Sequence, residues 1–269
     1  MSCKYFLQLI FFVLIAHLQS ITIHYENVIP EVLLDDSLEI LFLHEALGSI
    51  GQWKDFPQVL CNQLGLNGIV YERQGHGQSS PLTEKRTASY LRDYALEELP
   101  AFLESLNSDK KLLLVGHSDG GTIALLYASR FPEIVAGVVT MAAHVINEKE
   151  TVSGIQPAID AYKAGKLEGL KKYHGDKTET LFYAWADIWC SQDFLDWNIT
   201  FEISNPNTKG LFIQGKDDQY GTSKQIELIE KNYTGTSLSL LLENCGHHPH
   251  LEQKSTVIEA VETWWKAPS

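Results

Sequence analysis

LLLVGHSDGGTIALLY, residues Leu112–Tyr127, changes character at its midpoint. Its first residues form an unbroken apolar run of strand length, the pattern of a strand buried on both faces. After Gly120 the apolar side chains return at spacings of three and four, the period of an amphipathic helix. Between the two lies Gly116-His117-Ser118-Asp119-Gly120, so a serine sits on a sharp strand-to-helix turn. That context is what a nucleophile elbow demands, with glycines at 116 and 120 relieving the crowding while Oγ stands above the strand end. The helix that starts there aims free amides and the positive end of its dipole at any oxyanion formed on Ser118. A helix cap by Ser118 is the alternative, and the flanking strand and helix favour the nucleophile.

The rest of the chain extends the same rhythm. Strand-like runs occur at Leu38–His44, Gly68–Arg73, Lys111–His117, Val135–Ala143, Gly210–Gly215 and Ser237–Cys245. Amphipathic segments separate them, QWKDFPQVLCNQL, SYLRDYALEELPAFLESL (broken at Pro100), SKQIELIEKNY and STVIEAVETWWKA among them. Alternation of this kind predicts an α/β fold, a mainly parallel twisted sheet of about eight strands covered by helices on both faces. From Val145 to Pro206 no strand is legible, while PAIDAYKAGKLEGLKKY and TETLFYAWADIWCSQDFLDW are helical and aromatic. An unstructured loop of that length is improbable inside a compact domain, so residues 145–206 read as a helical cap after the sixth strand. Residues 20–144 and 207–269 form the core.

Composition narrows the function. The chain has 269 residues, 34 Asp plus Glu against 21 Lys plus Arg, and a net charge of −13, which repels a phosphate backbone. No polybasic patch faces a membrane. Nucleic acid is therefore excluded as a partner, and a small-molecule substrate is expected, on a monomer or small homo-oligomer. Residues 1–19, MSCKYFLQLIFFVLIAHLQ, read either as a secretory signal or as an apolar N-terminal segment such as a first strand, with strand-like alternation starting at Ser20. Localisation stays open between cytoplasmic, the favoured reading, and secreted or membrane-associated through this segment. The scattered cysteines argue against a disulfide framework.

A serine nucleophile needs a base, and the base an orienting carboxylate. GKDD places Asp217 and Asp218 beyond the next-to-last strand, and CGHHPHLE places His247, His248 and His250 beyond the last. Both lie at carboxyl ends of strands, where sites of open α/β sheets assemble. A metal reading would recruit the histidines and Cys245, but adjacent side chains on an extended segment point apart and no second ligand cluster accompanies them. No metal or cofactor is expected.

Four motifs together make the chain from about Ile21 to Trp265 resemble the α/β-hydrolase superfamily: FLHEALGS, YERQGHGQSS, GHSDGG, and GKDD with CGHHPHLE. The resemblance implies Ser118 as nucleophile and Asp218, three residues after Gly215, as the acid, with Asp217 the runner-up. It implies His247, directly after Gly246, as the base, leaving His248 and His250 to pack or face solvent. The oxyanion hole would be the backbone amides of Ala46 and Asp119. Glu45 stands where the family usually has glycine, which puts the shape of that hole in question. His44, Glu45, Trp185 and Trp189 are candidate pocket residues. The reaction expected is hydrolysis of a small carboxylic ester or related acyl substrate through an acyl-enzyme. Glu45 and Asp119 would favour a cationic substrate such as an α-amino-acid ester, and an Asp at the elbow position of Asp119 resembles biphenyl-hydrolase-like esterases. Carbon–carbon bond hydrolysis on the same residues is one alternative, and a non-catalytic ligand-binding protein on this fold another.

Overall fold

The computed structural model describes residues 14–18, 20–204 and 208–267. Eight strands form one sheet: β1 (Leu14–Leu18), β2 (Ile21–Val28), β3 (Leu38–Leu43), β4 (Asn67–Tyr71), β5 (Lys111–His117), β6 (Val135–Met141), β7 (Lys209–Gly215) and β8 (Ser237–Leu242). Their spatial order is β1-β2-β4-β3-β5-β6-β7-β8. β2 pairs antiparallel with both β1 and β4, and every pairing from β4 to β8 is parallel.

The period-two alternation of the strands divides the core into two layers. Leu41, Leu43, Leu112 and Leu114 face one side, and Ile40, Phe42, Leu113 and Val115 face the other. On the first side lie α2 (Tyr90–Asp93), α3 (Leu99–Ser105), α4 (Asp119–Arg130) and α8 (Ser223–Asn232). On the second lie α1 (Phe56–Leu64) and α10 (Lys254–Lys266), with α9 (Pro249–Glu252) leading into the latter. Between β6 and β7 stand the helices of the cap, α5 (Lys149–Lys163), α6 (Lys171–His174) and α7 (Thr178–Trp189). Phe182, Trp189 and Phe194 of the cap continue the first core layer.

Differences from the sequence reading have local causes. Four strands, β3, β4, β6 and β8, end earlier than their apolar runs. β3 stops at Leu43 because the His44 carbonyl is taken by Arg73 Nη1 at 2.5 Å. β6 and β8 stop short of residues with left-handed backbone, Ala142 (φ 53°) and Asn244 (φ 51°). α5 begins at Lys149 and runs through Pro157, where the sequence suggested a start. Pro100 does split its helix: Tyr94–Glu98 forms a π-turn, and the Leu99 amide bonds back to the Tyr94 carbonyl, a widened register that accommodates a residue lacking an N–H. Strand structure also begins before Ser20, because Leu14–Leu18 is an edge strand of the sheet. The remainder of the expected signal or apolar segment, residues 1–13 and 19, lies outside the described residues.

Candidate active site

The β5–α4 turn carries Ser118 at φ 52°, ψ −118°, a conformation an L-residue holds only when its surroundings over-determine it. The glycines show what does so. A Cβ on Gly116 would lie 2.3 Å from the Gly120 carbonyl oxygen, and one on Gly120 would lie 1.9 Å from the Leu43 carbonyl oxygen. The turn is thus wedged against the end of β3, and the Ser118 N–H is held by the Met141 carbonyl at 2.8 Å.

Two loops from the neighbouring strands meet this serine. Gly215 and Gly246 pass so closely that a Cβ at 215 would be 2.2 Å from the Gly246 carbonyl oxygen. That approach sets Asp218 against His247: Nδ1 lies 2.9 and 2.8 Å from the two carboxylate oxygens, and Nε2 lies 3.0 Å from Ser118 Oγ. The Asp218 oxygens also accept from the Tyr220 N–H at 2.8 Å and Gln214 Nε2 at 2.7 Å. The Asp218 side chain is fully buried, while Asp217 is exposed. Burial alone would raise the Asp218 pKa, but His247 and the hydrogen bonds outweigh it and hold the carboxyl below its ordinary value. Burial works against a charged His247, yet Asp218, with Glu45 and Asp119 further off, raises its pKa above 6.5.

The loop after β3 is fixed from outside. Arg73 donates to the carbonyls of His44 and Glu45, at 2.5 and 2.9 Å. His76 Nε2 lies 3.0 Å from the Ala46 carbonyl and His174 Nε2 lies 2.9 Å from the Leu47 carbonyl. With the carbonyls of 44–47 turned outward, the Ala46 backbone is presented to the cavity above Ser118. Neither the Ala46 nor the Asp119 amide has a protein partner among the described residues, which is what an anion-accepting pair requires. Glu45 takes its place without left-handed backbone, and its carboxylate accepts the Leu47 N–H at 2.8 Å.

That cavity is about 620 Å³ and lies under the cap, lined by Glu45, Ala46, Ser118, Asp119, Ile155, Trp185, Trp189 and His247. A larger, more polar hollow of about 740 Å³ lies against β1 and lacks Ser118. Of the expected pocket residues, Glu45, Trp185 and Trp189 line the Ser118 cavity. His44 does not: it is buried, with Nε2 accepting the Arg73 N–H at 3.1 Å and Nδ1 donating to Glu45 O at 2.7 Å. Burial, chiefly, keeps this imidazole well below its usual pKa. His250 packs on Trp53 and Phe56, as expected of a non-catalytic neighbour, whereas His248 lines the cavity mouth. Sequence reading missed Tyr90, Tyr220 and His144. Tyr90 OH donates to Asp119 Oδ2 at 2.9 Å and accepts from Trp189 Nε1 at 2.8 Å. Nothing in local sequence marks that relay, which joins residues 99 positions apart. Among the described residues no cluster of His, Cys, Asp or Glu is arranged to hold a metal.

The chain belongs to the α/β-hydrolase fold family, whose pattern matches residues 40–184. It is a hydrolase, and its relatives carry esterase and peptidase names. It is 24% identical over 249 residues to the proline iminopeptidase of Saccharolobus solfataricus, covering 77% of this chain and 78% of that one. Protein phosphatase methylesterase 1 of Kluyveromyces lactis is 24% identical over 282 residues, covering 88% and 70%. Among solved structures, a serine hydrolase involved in carbazole degradation superposes with a TM-score of 0.70 at 18% identity, covering 95% and 98%. The enol-lactonase of Burkholderia xenovorans gives 0.71 at 13%, covering 94% and 100%.

Proposed function

We propose that this hydrolase cleaves small carboxylic esters or related acyl substrates by nucleophilic catalysis at Ser118. The observation that carries the reading is the unbroken chain from Asp218 through His247 to Ser118 Oγ, opening on a cavity under the cap. His247 Nε2 takes the Ser118 proton as Oγ attacks the carbonyl, and Asp218 holds the Nδ1–H tautomer and stabilises the imidazolium. The Ala46 and Asp119 amides receive the oxyanion, each worth about 3 kcal/mol in the transition state. His247 then protonates the leaving group, and water attacks the acyl-enzyme with the same base.

The cap side of the cavity, with Ile155, Leu167, Leu170, Trp185 and Trp189, suits an apolar portion of the substrate. Glu45 and Asp119 bring carboxylates near the nucleophile, and no Lys or Arg is among the described lining residues, so a cationic group on the substrate is favoured over an anionic one. Labelling with a fluorophosphonate probe tests the core reading: wild type labels and Ser118→Ala does not. A correctly folded, unlabelled wild type refutes it. Comparing an α-amino-acid ester with its deaminated analogue tests the charge preference, which equal kcat/KM values would remove.

A further inference from the structure

We infer that His174, supplied by the cap, is a positioning residue that steadies the oxyanion loop by holding the Leu47 carbonyl, one residue beyond Ala46. The inference rests on the role proposed above for the Ala46 amide.

The geometry of His174 is specified at both ring nitrogens. The Gly77 N–H donates to Nδ1 at 2.9 Å, so Nδ1 carries no proton. Nε2–H must then be the donor to the Leu47 carbonyl at 2.9 Å, and a neutral imidazole of one tautomer satisfies both partners. His174 is 2% exposed, and burial, its largest influence, lowers its pKa and keeps it neutral. The titratable groups around it are Glu45, Glu72 and Lys177, with the rings of His76 and Tyr173 at 6.1 and 6.5 Å and His44 further within the same buried group.

This ring joins three segments distant in sequence. Leu47 is 127 residues away and Gly77 is 97. Nearby cap residues reinforce the seating. Lys177 Nζ donates to the carbonyls of His76 and Ser79, and the Tyr173 ring would stand 3.1 Å from a Cβ at Gly51. Arg73 and His76, both from the core, fix the carbonyls of residues 44–46. The carbonyl of Leu47 depends on the cap. Releasing it frees the Leu47–Gly48 peptide and removes the cap-side anchor of the loop that carries the Ala46 N–H two peptides earlier, a displacement that acts on the oxyanion more than on the bound substrate. In this arrangement the cap is part of the frame of the oxyanion site as well as a cover for the cavity.

Replacement of His174 by Gln and by Asn separates the two bonds, because the Gln amide nitrogen reaches the position of Nε2 and the Asn oxygen that of Nδ1. Wild type, His174→Ala, His174→Asn and His174→Gln are compared on one ester for kcat and KM, by fluorophosphonate labelling rate, and by thermal melting to confirm folding. Ala and Asn should lose about tenfold in kcat and in labelling rate with KM within about twofold, a modest misplacement on the scale where ~1 Å costs about a hundredfold. Gln should retain most of both. Wild-type kcat in the Ala variant, equal losses in Gln and Asn, or a change confined to KM overturns the inference. If Ala does not fold, the Gln–Asn contrast decides alone. An unlabelled wild type overturns the serine assignment and this inference together, whereas a labelled wild type with unaffected variants overturns only the role of His174.

Discussion

Replacing Asp218 by Asn should abolish most activity while leaving the fold in place, and the size of the loss can be worked from the contacts. The Asp218 oxygens lie 2.8 and 2.9 Å from His247 Nδ1 in a site where the two side chains are 0% and 7% exposed. Two unit charges about 4 Å apart, at an effective dielectric near 20, attract by about 4 kcal/mol. Asn forgoes that attraction for the imidazolium formed in the transition state, which corresponds to about a thousandfold in kcat. Tautomer adds to this. Both Asp218 oxygens already face donors, the Tyr220 N–H and Gln214 Nε2, so either orientation of the Asn amide sets an NH2 against one of them. If the NH2 faces His247, the ring moves its proton to Nε2 and cannot accept from Ser118, bringing the loss to about ten-thousandfold. Stability should fall by about 1–3 kcal/mol for the unmatched donors. The assay is kcat on an ester, with Asp217→Asn as the exposed control expected to stay within twofold of wild type. A folded Asp218→Asn within tenfold of wild-type kcat, or an equal loss in Asp217→Asn, refutes the reasoning.

The acid limb of kcat/KM should lie above pH 6.5, because His247 must be neutral to act as base and Asp218, against the effect of burial, raises its pKa. In Asp218→Asn that limb should move to lower pH, and an unmoved limb in a pH–rate series argues against their coupling. Asp218 itself is held below 3.8 in the fold despite burial, so its charge stabilises the protein above that pH and the contribution fades as pH falls through the lowered value. Thermal melts of wild type and Asp218→Asn should accordingly converge in acid. At Ser118, with φ 52°, Gly should be more stable than Ala by about 1 kcal/mol, the reverse of the usual order, because Gly alone enters that region without strain. Differential melting of the two inactive variants reads this directly. Gly120→Ala puts a Cβ 1.9 Å from the Leu43 carbonyl oxygen and should cost about 3 kcal/mol or more, seen as a lower denaturation midpoint together with lost labelling.

The sequence by itself determined whatever depends on neighbours along the chain. Apolar runs marked β3 to β8, alternation from Ser20 marked β2, and helical spacing marked α4, α8 and α10, because these periods follow from backbone geometry. Ser118 was legible from the glycines that flank it, places beyond consecutive strands offered Asp217 or Asp218 and one of His247, His248 and His250, and the resemblance to the α/β-hydrolase superfamily chose Asp218 and His247 among them. Strand ends were less legible, since β3 ends where Arg73 takes a carbonyl and β6 where Ala142 turns left-handed. β1 was hidden in an apolar stretch that also reads as a targeting signal. Tertiary structure alone decided which polar groups meet. His44 was expected among the pocket residues, but its two ring bonds turn it into the support of the Arg73 loop. Tyr90 and His174 carry no local mark, yet each closes a contact across about a hundred residues. A buried donor or acceptor must find a partner wherever the fold supplies one, and that partner is fixed by the packing of cap on core.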